Sequence, residues 1–522
     1  MAVLRALVLA LVTALLLVSR SPIDGQQVGT SCTQPRVRKS WDALEAAEKT
    51  LYLDAVGAAI KAGFHQKFVQ LHTTYFSGLE AHKTSVFVYW HRMLLLGYEN
   101  MLRSLDSSYA CVTVPYWDHL SGSAQQGSGT CSTIENCSPI IADTGATTGV
   151  SKSIKIYNVS YSYTTKLTCV NQGVVSLFCG NTSTCANCIL RQRSKYMPAY
   201  PDEAAFSSVA QQLFTYSDWV NVSAAIENGV HNTVHNALSG MMAFMQAPLD
   251  PVFYSHHGLI DLLQTIYLKC KLGDDQSYLS ADSKGSDPRF WTSSARSDGG
   301  VFSGSDNITM QVSAFDGQTY VNAWQNPSNI LYPFFKDLPY TYAAYVDAKD
   351  IGNYSYTYNI SGGLANLYQN CSGANTLSAV SSSLLADDPQ ATVTSNPPPP
   401  TPKKSLCHTV VNGTDEDDAI KRVNIALFEA AKLFGFEPWA ARAQVEMVMC
   451  QRYVECIGPA NDYSDIYRKS FQIEGHPRCY LIAKDIAAGN RVIGIPKWRN
   501  ITSRFLPCPL KDGDGANATA KA

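Results

Sequence analysis

The distribution of histidine is the feature that most limits how this chain can fold. The sequence has 11 histidines, and most of them fall in two groups: His65, His72, His82 and His91, then His231, His235, His256 and His257. An imidazole without a partner is costly to bury, so histidines in apolar stretches need partners. Two three-histidine clusters without cysteine or carboxylate ligands suggest a metal that suits imidazole: copper, zinc or iron.

In the second group, helical spacing brings two rings together. His231 and His235 are spaced i, i+4, so both rings leave the same face of a helix, with Glu227 one turn earlier. A third histidine follows on the next helix. Helical geometry alone does not choose between His256 and His257.

The first group needs a loop. A step of nine residues on a helix turns the chain through about 900°, which would place His82 and His91 on opposite faces. A loop before Trp90 can instead bring His82 back beside His91. His72, near the end of the preceding helix, then completes the trio, and His65 is the rival candidate.

Hydrophobic periodicity predicts a mainly α protein. Before residue 395 the helical stretches run approximately from Trp41 to His72, Trp90 to Ser104, Ser223 to Leu238 and Asp250 to Lys269. We expect long disulfide-tied loops over 120–200, and loops with short strands over 270–394. Further on, amphipathic helices are predicted from Ala419 to Phe434 and from Pro438 to Cys456, the first preceded by acidic residues that suit the helix dipole.

Composition along the chain predicts two domains and export. Residues 1–26 are typical of a secretory signal peptide, and the four consecutive prolines within 395–404 predict an extended linker. We therefore expect a large domain over 27–394 and a small helical, cysteine-containing domain over 405–522. The 15 cysteines and eleven N-glycosylation sequons agree with a secreted glycoprotein whose cysteines mostly pair. Cys185 and Cys188 could instead form half a zinc site or a redox pair, but loop-stapling disulfides are favoured.

Charge and hydropathy exclude two classes of partner. The net charge is −2 and charged residues are dispersed, so nucleic acid is not expected as a partner. After the first 26 residues, no segment approaches the roughly 18 apolar residues that span a bilayer, so no membrane association is expected once the signal peptide is removed.

Several motifs together resemble the tyrosinase/catechol oxidase family of type-3 copper proteins. "His72-x9-His82-x8-His91-Arg92" is similar to the first copper motif of that family, and Val114–Asp118 (VPYWD) is also similar to the family. The second copper motif is matched by His231–His235 (HNTVH) and by Asp250–His257 (DPVFYSHH) with Asp261. The resemblance covers roughly residues 40–345.

The resemblance implies specific roles for residues of this chain. It implies that His72, His82 and His91 bind one copper ion, and that His231, His235 and His257 bind the other. It implies that Phe253 packs over the substrate ring, and that Glu227 and Asn232 position a water that takes the phenolic proton; Glu227 could alternatively serve only to orient His231. Tyr340-Thr-Tyr342 resembles the tyrosine motif that closes the catalytic domain, although core packing explains these rings equally well.

The chain departs from the family pattern at three positions. Glu80 stands where some members have a cysteine that forms a thioether to the second histidine, so that crosslink should be absent. Leu262 replaces a usual arginine after Asp261, and Tyr89 replaces a common proline.

From these residues and this resemblance we expect a four-helix bundle around two copper ions, acting on small phenols with O2. The expected reactions are ortho-hydroxylation of monophenols and oxidation of o-diphenols to o-quinones. A diphenolase-only catechol oxidase and a hemocyanin-like oxygen carrier are the alternatives. The domain after 404 could cover the active site, as in proenzyme forms, or could be an unrelated interaction module.

Overall fold

The computed structural model describes residues 32–509 except 151–153, 157–158, 162–165, 180–186, 274–278, 292–293, 297–298, 315 and 372–405. The expected signal peptide (1–26), the expected proline-rich linker (395–404) and Cys185 lie outside the described residues. In the part of the chain that is described, no helix is long and apolar enough to cross a membrane.

Helices are the main secondary structure before residue 372, as the sequence predicted. They are α1 (Ala46–Ala62), α2 (Phe64–Thr73), α3 (Tyr75–Ala81), α4 (Phe87–Ser104), α5 (His119–Ser128), α6 (Pro139–Thr144), α7 (Phe206–Phe214), α8 (Trp219–Ile226), α9 (Asn232–Leu238), α10 (Val252–Leu272), α11 (Ala281–Ser286), α12 (Tyr332–Phe335) and α13 (Gly362–Asn370). A π-helical turn, Glu227–His231, joins α8 to α9. Short 3₁₀ turns lie at Trp41–Ala43, Ser107–Tyr109, Val174–Phe178, Ser194–Tyr196, Asp202–Ala204, Gly240–Ala243, Ala247–Leu249, Tyr342–Tyr345 and Gly352–Tyr354.

Local sequence explains where the central helices begin and end. A capping box between Glu45 and Glu48 opens α1. Gly63 ends it with a φ of +79°, a left-handed conformation that favours glycine, and α2 starts immediately afterwards. The helical stretch predicted from Trp41 to His72 is therefore divided into a 3₁₀ turn and two helices, with a break at Gly63. In α4, a side chain at Gly97 would come within 2.1 Å of the Phe335 ring, so this position needs glycine.

Two other predicted stretches also differ from the structure. The π-helical turn interrupts the helix expected from Ser223 to Leu238. The loops expected over 120–200 contain α5 and α6, because capping by Asp118 and an N-terminal proline at Pro139 support short helices there.

Strands are short, with two to five residues each. They are β1 (Arg36–Arg38), β2 (Gly149–Val150), β3 (Ile154–Ile156), β4 (Val159–Tyr161), β5 (Leu167–Val170), β6 (Ile189–Gln192), β7 (Gln311–Ser313), β8 (Tyr320–Asn322), β9 (Tyr356–Ile360) and β10 (Thr409–Val410). Strand β9 pairs in parallel with β1 on one side and β10 on the other. The remaining ladders, β2–β5–β6, β3–β4 and β7–β8, are antiparallel.

The region after residue 405 is also helical. Its helices are α14 (Asp415–Leu433), α15 (Pro438–Cys456), α16 (Asp465–Phe471), α17 (Arg478–Ala487) and α18 (Trp498–Phe505). A Thr414–Asp417 capping box and four acidic residues begin α14. Its apolar residues Val423 and Leu427 belong to the same continuous core as α4 and α10. This region therefore contributes to the main core, and it also has a small cluster of its own, formed by Met447, Cys450, Cys479 and Ile482.

Disulfides staple loops and helices, as the cysteine content predicted. The described pairs are Cys32–Cys111, Cys131–Cys137, Cys169–Cys188, Cys270–Cys371, Cys450–Cys479 and Cys456–Cys508. Since Cys188 is bonded to Cys169, it is available neither as a thiolate for zinc nor for a redox pair with Cys185.

A buried ionic network holds the two central helices together. The guanidinium of Arg92 on α4 donates to the carboxylate of Asp261 on α10. Arg38 donates to the same carboxylate at 3.1 Å and to Glu99 at 3.3 Å. The hydroxyl of Tyr356 donates to Asp261 at 2.5 Å. The arginine that follows His91 is thus fixed to the aspartate one turn after His257.

Candidate metal centre

The first histidine trio is assembled from three segments. His72 lies near the end of α2, His82 directly follows α3, and His91 lies one turn into α4. Their ring centroids are 5.0 Å apart for His72–His82, 5.4 Å for His82–His91 and 5.6 Å for His72–His91. One ligand atom from each lies within 4.8 Å of the others. The loop of 82–86 does bring His82 back beside His91, as the sequence suggested.

The second trio comes from two neighbouring helical stretches. His231 ends the π-helical turn, His235 follows on α9, and His257 lies on α10. Ring centroids are 4.6 Å apart for His231–His235, 5.0 Å for His231–His257 and 5.8 Å for His235–His257. Here too one ligand atom from each lies within 4.8 Å of the others.

The two trios face each other across a short distance. The rings of His91 and His257 stack with centroids 4.0 Å apart and an interplanar angle of 12°. The ring centroids of His82 and His231 are 6.4 Å apart. The six imidazoles therefore form one cluster, with His82 half-buried and the other five buried, in which two metal ions would be neighbours.

Unpartnered nitrogen atoms show that the residues fit a metal. In His72, His91 and His235, Nδ1 is hydrogen-bonded to the backbone carbonyls of Met245, Phe87 and Met242 respectively, at 2.9, 2.9 and 2.7 Å. In His231, Nδ1 donates to Asn232 Oδ1 at 2.9 Å. The Nε2 atoms of these four rings, Nδ1 of His82 and both nitrogens of His257 are buried without a hydrogen-bond partner. Buried polar atoms normally have partners, so this concentration of lone pairs is the pattern of metal ligands.

The charge state of the rings agrees with ligation. Burial lowers the pKa of His72 to about 3 and of His235 to about 4. Burial also holds the pKa of His82, His91, His231 and His257 well below the ordinary value, and neighbouring imidazoles lower it further. All six are neutral at physiological pH and can offer a lone pair.

The structure separates the two rival candidates from the trios. His65 bonds through Nδ1 to the Tyr98 hydroxyl at 2.9 Å and through Nε2 to the Leu249 carbonyl at 3.0 Å, so neither nitrogen is available. His256 bonds through Nδ1 to Nε2 of His119 at 2.8 Å. Neither His65 nor His256 belongs to a three-histidine group within the described chain.

A third group of potential ligands among the described residues is Asp202, Cys450 and Cys479. The two cysteines are joined to each other in a disulfide, so they offer no thiolate. This group is therefore not a metal site.

The three residues to which the resemblance assigned catalytic roles lie beside the cluster. The Phe253 ring is buried, with its centroid 4.2 Å from that of His257 and 5.3 Å from that of His72. The backbone N–H of Lys83, next to His82, donates to both carboxylate oxygens of Glu227 at 2.8 and 3.0 Å. Burial raises the pKa of Glu227 to about 7.

Asn232 is occupied by two donors. Its side-chain oxygen accepts hydrogen bonds from His231 Nδ1 at 2.9 Å and from the Tyr467 hydroxyl at 2.7 Å. Tyr467 belongs to α16, so the region after 405 reaches into the site.

The aromatic face of α16 lies over the histidines, and the motifs in the sequence did not predict it. The Phe471 ring centroid is 5.7 Å from that of His82 and 5.9 Å from that of His235, so this ring lies beside both trios. The Tyr463 hydroxyl donates to the backbone carbonyl of Asn228 at 2.7 Å. Tyr463, Tyr467 and Phe471 repeat every four residues, and that spacing could have indicated an aromatic helix face.

The tyrosine motif divides into a buried and an exposed ring. Tyr342 is buried and donates to Glu80 at 2.5 Å. Tyr340 is half exposed and stacks on Trp324 with centroids 4.8 Å apart.

Comparisons with known proteins agree with this geometry. The model of the common central domain of tyrosinase matches residues 62–269. The chain is 27% identical to a tyrosinase of Streptomyces antibioticus over 242 residues, covering 44% of this chain and 81% of that protein. It is 26% identical to a tyrosinase of Streptomyces glaucescens, covering 44% and 80% respectively.

Two solved structures were also matched. A polyphenol oxidase from Thermothelomyces thermophila has a TM-score of 0.41 at 17% identity, covering 62% of this chain and 91% of that one. A functional unit of octopus hemocyanin has a TM-score of 0.35 at 16% identity, covering 62% and 68%.

The helical fold and the two buried histidine trios define a metalloprotein with an all-histidine centre. Residues 62–269 match the common central domain of tyrosinase, and this match supports the type-3 copper family of oxidoreductases for the chain. Copper is therefore the metal implied for the histidine cluster.

Proposed function

We propose that this protein is a phenol oxidase that ortho-hydroxylates monophenols and oxidises o-diphenols to o-quinones with O2. The observation that carries the proposal is the facing pair of buried histidine trios, each ring of which has an unpartnered nitrogen. His72, His82 and His91 would hold one copper ion, and His231, His235 and His257 the other. Bound there, the two ions would supply O2 binding and electron transfer.

The protein's own contribution to hydroxylation is proton removal. Glu227 is buried one turn before His231, and its pKa of about 7 suits a general base that acts near neutral pH. A water held between Glu227 and the Asn232 side chain would take the phenolic proton and pass it to the carboxylate. The Phe253 ring would hold the phenol by stacking beside His257.

Glu227→Gln tests the base assignment. The variant keeps the shape of the side chain but cannot accept the proton as a carboxylate does. We expect hydroxylation of tyramine to fall by about 10²-fold or more, with a much smaller loss for catechol oxidation. Equal loss of both activities, at full copper content, would show that Glu227 merely orients His231.

We further propose that the region after 405 keeps the enzyme latent. Phe471 occupies the space beside His82 and His235 that an incoming phenol ring would need, and Tyr467 takes up the Asn232 oxygen. Lys83 Nζ also donates to the backbone carbonyl of Gln472 at 2.7 Å, which fastens the end of α16 beside the site. These contacts support a covering role.

Phe471→Ala in the full chain tests latency without removing a region that shares the main core. We expect activity on catechol to rise, because the ring beside the histidines is gone. Phe436→Ala is the matched control, since Phe436 packs near Gly494, away from the histidines, and it should leave activity unchanged. An unchanged Phe471→Ala enzyme would refute the covering role of this ring.

The covered site also favours a second function, a reversible oxygen carrier that excludes phenols. The same Phe471→Ala protein distinguishes the two. An enzyme produces quinone once the ring is removed, whereas a carrier binds O2 and forms no product. A diphenolase-only enzyme would oxidise catechol and leave tyramine unchanged.

Secretion is part of the proposal. It is supported by the apolar N-terminal stretch, the sequons and the disulfides of the described chain. Expression of the full chain in a eukaryotic secretory host should release a glycosylated protein that lacks residues 1–26. Retention of that segment on a cell-associated protein would refute this.

A further inference from the structure

His82 is held differently from the other five histidines of the cluster. Four of them anchor Nδ1 on a protein oxygen, and His257 is fixed within the long helix α10. His82 follows the last residue of α3 in an extended conformation, with φ −139° and ψ 149°. Its Nδ1 has no partner. The position of this ring therefore depends on how the end of α3 is held.

The carboxylate of Glu80 holds that helix end. Only 4% of Glu80 is exposed. Its carboxylate accepts hydrogen bonds from the Thr309 backbone N–H at 2.8 Å, the Thr309 hydroxyl at 2.7 Å and the Tyr342 hydroxyl at 2.5 Å. Arg296 adds a charged contact at 3.9 Å. A buried carboxylate with three donors is strongly fixed, because charge-assisted hydrogen bonds are the stronger kind.

The same anchor reaches the helix that carries the third histidine of the trio. The indole N–H of Trp90 donates to the carbonyl of Thr309 at 2.9 Å. Thr309 is thus bonded to Glu80, two residues before His82, and to Trp90, one residue before His91. In addition, the Thr84 hydroxyl donates to the Glu80 backbone carbonyl at 2.8 Å and tightens the intervening loop.

We propose that Glu80 is a positioning residue that sets His82 against His91 through Thr309 and Tyr342. It touches neither the substrate nor the metal. It restricts the first trio to the geometry in which one ligand atom from each ring lies within 4.8 Å of the others. The inference rests on the proposed binding of copper by His72, His82 and His91.

The test measures copper retention rather than activity. Holoprotein is mixed with excess chelator, and the release of each of the two copper ions is followed by absorbance. In Glu80→Gln, an amide N–H replaces one acceptor facing the donors of Thr309 and Tyr342. We expect the ion held by the first trio to leave on the order of 10- to 100-fold faster than in the wild type, as when a hydrogen-bond partner that orients a metal ligand is lost. Release of the second ion should be unchanged.

Two further variants guard against a general folding defect. Glu446→Gln changes another buried carboxylate, paired with Arg478 at 2.7 Å in the region after 405. It should lower the melting temperature without altering copper release. Tyr342→Phe removes one donor and keeps the carboxylate. It should therefore accelerate release of the first-trio ion by a smaller factor than Glu80→Gln does, and it still tests the proposal if Glu80→Gln folds poorly.

The outcomes separate the two proposals. A wild-type protein that binds two copper ions, with release unaffected by both Glu80→Gln and Tyr342→Phe, would overturn the role of Glu80 alone. A wild-type protein that binds no copper at the first trio, as shown by an unchanged stoichiometry in His82→Asn, would overturn the proposed function. Equal acceleration of both ions in Glu80→Gln would also reject Glu80 as a support specific to the first trio.

Discussion

The first trio draws its histidines from three separate segments, whereas the second draws two of its three from one helical stretch. Local geometry therefore fixes His231 and His235 relative to each other, since residues four apart share a helix face. In the first trio, His82 reaches its place through a loop, and its support comes from residues more than 200 positions away, at Thr309 and Tyr342. One trio is largely a product of helix periodicity, and the other of tertiary contacts.

The second trio is also supported from outside its own helical stretch, and one such support is Gln212. Gln212 Oε1 accepts a hydrogen bond from the Val230 N–H at 3.1 Å, next to His231. The Gln212 amide donates to the backbone carbonyl of Glu203 at 2.9 Å. The π-helical turn is thus tied to a segment that carries buried carboxylates. The two trios differ in the chemistry of their supports as well as in their topology.

The largest expected effect comes from removing a ligand from either trio. His82→Asn and His235→Asn should each reduce bound copper from two ions per chain to one, because a trio that loses an imidazole no longer encloses its ion. Metal analysis of the purified variants measures this. Loss of both ions in His82→Asn but of one in His235→Asn would contradict the independence of the two trios.

The second-largest effect should come from breaking the buried ion pair between Arg92 and Asp261, which joins a helix of the first trio to a helix of the second. Asp261→Asn leaves Arg92 and Arg38 buried without a full counter-charge, and we expect the free energy of unfolding to fall by about 3–5 kcal/mol. Denaturant titration of the apoprotein measures it. The exposed pair Asp485–Arg491 is the control, and Asp485→Asn should cost about 0–1 kcal/mol. Similar losses in the two variants would show that the central pair stabilises the fold no more than an exposed pair does.

The stability of the segment that supports the second trio should depend on pH. Burial raises the pKa of both Asp202 and Glu203 to about 7; the charge of Glu203 raises the pKa of Asp202 further, and that of Glu446 raises the pKa of Glu203. The folded state thus binds protons more tightly than the unfolded chain. The contribution of Asp202 and Glu203 to the free energy of unfolding is therefore fully present below about pH 4 and is lost as the pH rises towards 7.

We therefore expect the Asp202→Asn and Glu203→Gln variants to lose less stability than the wild type between pH 5 and pH 7. The difference should be on the order of tenfold in the unfolding equilibrium, the equivalent of one pKa unit. Thermal melts at both pH values measure it. Glu48→Gln, on the exposed start of α1, should keep the wild-type pH dependence; a wild-type response in the two buried variants as well would refute the assignment.

The smallest effect concerns the break before the first trio. Gly63 has a left-handed φ of +79°, and a Cβ added there would meet no atom within 4 Å, so Gly63→Ala adds backbone strain without a clash. We expect a loss of about 1 kcal/mol in stability and unchanged copper content. Gly273→Ala, at the end of α10, is a matched control with a φ of +87° and equal open space. A loss of copper in Gly63→Ala alone would show that the α1–α2 break positions His72.

The two trios also differ in how far the sequence alone predicted them. The spacing of His231 and His235 predicted their common helix face, just as the periodicity of α15 predicted its bounds, Pro438–Cys456. The choice of His72 and His257 over His65 and His256 was implied only by family resemblance. In the structure, His65 uses both nitrogens in hydrogen bonds. His256 keeps an unpartnered Nε2, but among the described residues it is His257 whose ligand atom lies within 4.8 Å of those of His231 and His235.

Other features depended on contacts that no local pattern encodes. The aromatic spacing of Tyr463, Tyr467 and Phe471 marks a helix face, but it does not say which surface that face covers. The break at Gly63 was missed because apolar periodicity continues on both sides of it. The role of Glu80 was invisible because its partners are remote in sequence.

The sequence by itself determined a mainly helical chain rich in disulfides, with histidines at spacings that suit an imidazole-bound metal. These properties are local, since helix periodicity, caps and ligand spacing act over a few residues. Only the tertiary structure decided which histidines share a cluster, how Glu80 supports His82, and that Phe471 lies over both trios. Those arrangements depend on the burial of unpartnered nitrogens and on hydrogen bonds between distant segments, which exist only once the chain has packed.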